Sequence, residues 1–116
     1  MQNRIDRIVK LLDEKKAENI EVIDMQGRDY LSKFVVVATT LAARHGFALL
    51  DDLKTELKPA GENFLGVESS DDWTVIDLGD IMIHLMSETY RAKYNIEEFL
   101  KGFQVYNKPE YNFFLN

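Results

Sequence analysis

The chain has 116 residues, 46% hydrophobic and 29% charged, and its fourteen Lys and Arg against twenty Asp and Glu leave a net charge of −6. That length predicts one domain, and a chain without cysteine can hold neither a disulfide framework nor a thiolate metal site. Nucleic-acid backbones are held mainly by Lys and Arg neutralising phosphates, so this balance argues against direct nucleic-acid binding and towards basic protein partners, although it would equally keep a small domain soluble.

From Asn3 to Ala17 the apolar positions Ile5, Ile8, Val9 and Leu12 follow the spacing of one face of an amphipathic helix. The start, Met1-Gln2-Asn3-Arg4-Ile5-Asp6, lacks the apolar stretch of a secretory signal, and no later run is long and apolar enough to span a membrane. A cytoplasmic protein is expected. Ile20 to Met25 reads as a short strand stopped by Gln26-Gly27-Arg28-Asp29, and Phe34 to Thr39 as a second. The second is a continuous β-branched run without alternation, which suits a central strand covered on both faces. A long helix is predicted from about Leu41 to Leu57, ended by Pro59-Ala60-Gly61. Phe64 to Glu68 is a weak third strand, and Ser69-Ser70-Asp71-Asp72 a polar loop. Trp73–Leu78 and Ile81–Met86 are two further strands joined at Gly79-Asp80. A helix begins near Ser87, and a second helical start lies at Asn95, where Asn95 and Glu98 can cap reciprocally. The domain is expected over residues 1–103, followed by an aromatic tail, 104–116, with Tyr106, Tyr111, Phe113 and Phe114. The expected class is a mixed α/β sheet of about five strands flanked by helices.

A two-residue loop with Gly79 first fits the primed turns of β-hairpins and fixes the pairing by counting outward. Leu78 then opposes Ile81, Ile76 opposes Ile83 and Thr74 opposes Leu85, on an almost wholly apolar face that should be core. The other face pairs Asp77 with Met82, Val75 with His84 and Trp73 with Met86. Two readings of that face stand side by side. Helices could cover it, leaving Trp73, Met82 and Met86 as core and His84 as a buried, hydrogen-bonded histidine. Alternatively part of it is open, and Trp and Met, which are enriched at protein interfaces, are its anchors.

The segment Trp73-Thr74-Val75-Ile76-Asp77-Leu78-Gly79-Asp80-Ile81-Met82-Ile83-His84 resembles the W-x-x-x-D-x-G-D-x-x-x-H signature of the RsfS/Iojap family of ribosome-silencing factors. Arg91-x-x-Tyr94-Asn95-Ile96-Glu97 is similar to the family's R-x-x-Y-x-L-E element, and Lys16-Ala17-Glu18-Asn19-Ile20-x-Val22-x-Asp24 to its opening. Phe34-Val35-Val36-Val37-Ala38-Thr39 is similar to its F-V-I-A-T strand, and Arg44-His45 falls where it carries R-H. The match runs in order over about residues 10 to 100. The chain departs from the pattern where Ser32-Lys33 precede Phe34, where Thr39-Thr40-Leu41 follow Ala38, and near Phe99-Leu100, where the family often has a tryptophan.

The resemblance implies a nucleotidyltransferase-like fold without that enzyme's active site. It further implies binding to the large ribosomal subunit through its ribosomal protein fourteen, sterically blocking subunit joining and lowering translation when nutrients are scarce. Carried over residue by residue, it places the partner contact on Trp73, Asp77, Gly79, Asp80, His84 and Arg91. Met82, Met86, Glu88 and Tyr94 join them from the hairpin and the helix start, the methionines as apolar anchors and the carboxylates as acceptors for a basic partner. An enzyme is not expected: a nucleotidyltransferase needs a glycine-rich phosphate loop and carboxylates converging on magnesium. The tempting pair, Asp77 and Asp80, sits on a strand face and in its turn. No cofactor is expected. A homodimeric adaptor that uses the Trp/Met face on itself is the remaining alternative.

Overall fold

Four helices and five strands lie along residues 1–102, the part of the chain described by the computed structural model. They are α1 (Gln2–Glu14), β1 (Glu18–Asp24), β2 (Phe34–Thr40), α2 (Ala43–Leu57), β3 (Gly66–Ser69), β4 (Trp73–Asp77), β5 (Ile81–Ser87), α3 (Glu88–Tyr94) and α4 (Ile96–Lys101). The aromatic tail expected over residues 104–116 lies outside the described residues. The strands form one mixed sheet in the order β1-β2-β5-β4-β3, with β2 and β5 parallel and the other neighbours antiparallel. Among the described residues no helix is long and apolar enough to cross a membrane.

The unbroken apolar run of β2 belongs to a strand covered on both faces. Val36 and Ala38 point into a core shared with α1 and α2, and Val35 and Val37 into a second core on the opposite side. All four are fully buried. The first core takes Ile5, Ile8 and Leu12 from α1, Leu49, Leu53 and Leu57 from α2, and Ile76, Ile81, Ile83 and Leu85 from the hairpin. Each such side chain adds about 1.5–3 kcal/mol relative to exposure. The second core is smaller: Ile23, Met25, Val35, Val37 and Met86 pack under Leu100 of α4.

The hairpin has the register expected from its two-residue loop, with Trp73 opposite Met86, Val75 opposite His84 and Asp77 opposite Met82. Leu78 N–H donates to the Ile81 carbonyl at 2.9 Å. Gly79 has φ 92°, which favours glycine, and a Cβ added there would lie 3.3 Å from Leu65 Cδ1.

Several boundaries differ from those expected, and one expected cap does not form. α1 ends at Glu14 rather than Ala17, because Lys16 turns left-handed (φ 73°). Its N–H reaches the Asp13 carbonyl and that of Ala17 the Leu12 carbonyl, a Schellman closure. α2 begins at Ala43 because Leu41 N–H donates to His45 Nδ1 and Ala42 is extended. The third strand runs Gly66–Ser69, since it exists only where β4 offers partners, from Asp77 back to Thr74. Asn95 and Glu98 do not form a capping pair. Asn95 is left-handed (φ 44°): its N–H closes α3 on the Arg91 carbonyl, and its carbonyl accepts from Phe99 N–H to open α4. The side chain that caps a helix here is Ser87, whose Oγ accepts from Tyr90 N–H at 3.1 Å.

Candidate functional site

The face of the sheet opposite α1 and α2 is only half covered. α3 and α4 pack over β5, β2 and β1. The covered half takes in Met86, 1% exposed in the second core, and His84, 7% exposed. On the hairpin side Trp73, Val75, Asp77 and Met82 remain half-buried. The face is therefore neither wholly covered nor wholly open. It is core beneath the helices and open surface along β4 and the start of β5.

Trp73, Tyr90 and Tyr94 form an aromatic row from the sheet onto α3. Trp73 and Tyr90 lie 6.3 Å apart at 15°, and Tyr90 and Tyr94, one helical turn apart, 4.5 Å apart at 40°. With Ile96 and Phe99 of α4 they wall a cleft of about 260 Å³ floored by His84 and Met86. Neither ring nitrogen of His84 has a hydrogen-bond partner among the described residues, and desolvation pushes its pKa down to about 4. The histidine is buried, as one reading of the sequence had it, but without the hydrogen bonds that reading assumed.

The two aspartates of the hairpin serve different ends. Asp77 Oδ1 accepts from Gly79 N–H at 2.8 Å, bracing the turn, and among the described residues no Lys or Arg pairs with it. Burial and then the negative charge of Asp77 push the phenol of Tyr30 upward, so the two are electrostatic neighbours. Asp80 is held from the other side of the sheet. Arg4 of α1 donates to its two carboxylate oxygens at 2.7 and 2.9 Å and to the two of Glu62 at 2.7 Å each. The Arg4 hydrogen bond, helped by the guanidinium charge, holds the Asp80 carboxyl below the usual range, and partial burial opposes it.

Arg91 points inward. Its guanidinium bonds the Asn19 carbonyl at 2.7 Å, Thr39 Oγ1 at 2.9 Å and Glu97 Oε1 at 3.0 Å, tying α3 to β1, β2 and α4. Glu88 and Tyr94 are exposed on α3. The geometry thus groups Trp73, Asp77, Met82, His84 and Tyr94 on or just under one surface, with Gly79 shaping its turn. It puts Asp80 and Arg91 into internal networks.

Residues not singled out in the sequence complete the surface. Tyr90, Ile96 and Phe99 wall the cleft. The Tyr90–Tyr94 spacing after Ser87 was a readable signal for an aromatic helix face. Leu31 and Leu65 are 92% and 68% exposed. Leu65 touches the hairpin turn. Nothing in one sequence distinguishes such leucines from core. A larger groove, about 640 Å³, lies between α1 and the edge strand β1, where Lys10, Asp6 and Asp13 stand beside apolar Ile5, Val9 and Ile20. Among the described residues no three His, Asp or Glu side chains gather as metal ligands.

A family model described as "Ribosomal silencing factor during starvation" matches residues 1–112 of the chain. The ribosomal silencing factor of Haemophilus influenzae is 30% identical over 96 residues, covering 81% of this chain and 94% of the relative. The chloroplastic Iojap protein of Zea mays is 31% identical over 97 residues, 79% of this chain and 41% of that longer protein. A crystal structure of a Chromobacterium violaceum protein superposes with a TM-score of 0.82 at 28% identity, covering 94% of this chain and 89% of the other.

Proposed function

The chain belongs to the ribosomal silencing factor family, and from that premise we propose that it represses translation by binding ribosomal protein fourteen on the large subunit and holding off the small subunit. Relatives in this family are named as ribosomal silencing factors, and this chain would act by binding, in the cytoplasm, rather than by catalysis. The observation that carries it is the half-open sheet face. Trp73, Val75 and Met82 offer apolar anchors, and Asp77 offers a carboxylate without an internal cation among the described residues, in a chain of net charge −6. Binding energy concentrates in a few half-buried aromatic and methionine anchors, and unpaired acidic groups beside them select and steer a basic partner. Ribosomal proteins are an abundant basic class. Leu65, exposed beside Gly79, adds apolar surface at the hairpin turn.

Sucrose-gradient sedimentation with isolated subunits tests this reading. The protein should travel with large subunits and not with small ones, and its addition should reduce the fraction of joined ribosomes. Failure to travel with large subunits would refute it. Binding without any effect on joining would leave the association and remove the steric block.

A further inference from the structure

A cleft walled by aromatic rings and floored by a polar group without a partner among the described residues calls for an occupant that satisfies both. Trp73, Tyr90 and Tyr94 present ring faces, Ile96 and Phe99 close the cleft from α4, and His84 lies beneath them. His84 is more than nine-tenths buried, with neither ring nitrogen hydrogen-bonded among the described residues. An aliphatic core residue at this position would be more comfortable, because a buried polar group without a partner loses its hydration for nothing in return. Such a departure from good packing is expected at a functional site.

Resting on the reading of this face as the partner contact, we propose that the cleft is a socket for a single arginine side chain of the basic partner. The planar guanidinium lies along the Trp73 and Tyr90 rings, and a small parting of the aromatic walls lets it donate a hydrogen bond to a ring nitrogen of His84, which those walls close off in the free protein.

The charge pattern selects the occupant. Glu88, Asp71, Asp72 and Glu98 are exposed around α3, α4 and the start of β4, so an anion is repelled. Asp72 lines a recess that shares Tyr90 and Tyr94 with the cleft. The nearby cations Arg91 and Lys101 are engaged by Glu97 and Glu21. Lys93 sits 5.3 Å from the centre of the Tyr94 ring, so one face of this aromatic row already carries a cation. An aliphatic occupant would leave His84 unsatisfied. A neutral imidazole has one lone pair to give, and burial keeps His84 neutral, with its pKa pushed down to about 4. An ammonium could also donate to that lone pair, but a guanidinium stacks flat on aromatic faces as well and is less strongly hydrated.

The test compares wild type with His84→Leu, which removes the lone pair without changing charge at neutral pH, in binding to isolated large subunits. His84→Leu should unfold at the same or higher denaturant concentration than wild type, yet bind about ten-fold more weakly or worse. In double-mutant cycles, one arginine of the bound partner should matter in wild type and lose its effect in His84→Leu. Equal affinity of the two proteins overturns the socket while leaving the broader reading of the face intact. So does coupling of His84 to an apolar partner residue, or a dimer of this chain that His84→Leu abolishes.

If wild type does not bind large subunits, the broader reading fails, and the socket is decided on the protein alone. The sole tryptophan, Trp73, reports directly. Ethylguanidinium should change its fluorescence saturably in wild type and not in His84→Leu, while neutral ethylurea should not. No saturable change, or an equal response to ethylurea, overturns the proposal.

Discussion

Arg91 donates to the hydroxyl of Thr39 at 2.9 Å across a sequence separation of 52 residues, so the arginine of the R-x-x-Y element faces the sheet rather than the solvent. With the Asn19 carbonyl and Glu97 on the same guanidinium, it joins four elements through one side chain.

Arg91→Ala should therefore act through stability. Its side chain is 13% exposed, and removing one member of a largely buried charged network leaves Glu97 and two oxygens without their donor. A loss of about 2–4 kcal/mol in denaturant unfolding is expected. Arg91→Lys should recover only part of it, because an ammonium cannot reproduce the fork. Binding per folded molecule should be little changed in both.

How much of this was legible in the sequence depends on the range of the interaction. The hairpin register was readable because side chains alternate strictly and a two-residue loop fixes the count, so the face bearing Trp73, Asp77, Met82 and His84 followed from local pattern. The double burial of β2 was readable from its unbroken run of Val. The roles of Asp80 and Arg91 were not. A carboxylate in a turn reads the same whether it meets only solvent or, as Asp80 does, an arginine 76 residues away. The left-handed turns at Lys16 and Asn95 were also hidden, since neither is the glycine that usually marks such a position.

Asp80→Asn should cost stability in a pH-dependent way. The folded carboxyl is held below its ordinary value, so its contribution is present above the usual carboxylate range and disappears as pH falls through the lowered value. Because the Asp80 side chain is 34% exposed, solvent screening keeps the effect to about 1 kcal/mol or less at neutral pH. Thermal melts of wild type and variant should differ at pH 7 and converge in strongly acidic solution.

His84 imposes a second pH dependence at higher pH. The unfolded imidazole takes up a proton below about 6.5, the folded one only near 4, so between these values the unfolded chain binds more protons. Its contribution is complete above 6.5 and declines towards 4. At about 1.4 kcal/mol per pKa unit, lowering pH from 7 to 5 should remove about 2 kcal/mol from this group alone. Urea unfolding of wild type and His84→Leu at the two pH values isolates it. Parallel losses in both proteins would show that His84 is not the group responsible.

Lys16→Gly should stabilise the fold. Lys16 closes α1 with φ 73°, where an L side chain is strained and glycine is not. The side chain is exposed, and relief of the strain should exceed glycine's greater freedom in the unfolded chain. A gain of about 0.5–1 kcal/mol is expected from the unfolding midpoint.

Met82→Lys separates folding from partner binding on the open face. Met82 is half-buried and directly opposite Asp77 in the β4–β5 hairpin. A lysine there loses some apolar contact but gains an opposite charge across the strands, worth about 0.2–1 kcal/mol, so the unfolding midpoint should shift little. For a basic partner the same change is damaging twice over. It removes an apolar anchor and neutralises the carboxylate that has no internal cation among the described residues. Large-subunit affinity should fall by about 2 kcal/mol, or some thirty-fold, with a steeper loss of association rate at low salt than at high. An unchanged affinity with an intact fold would move the contact off the hairpin and onto another surface of the molecule.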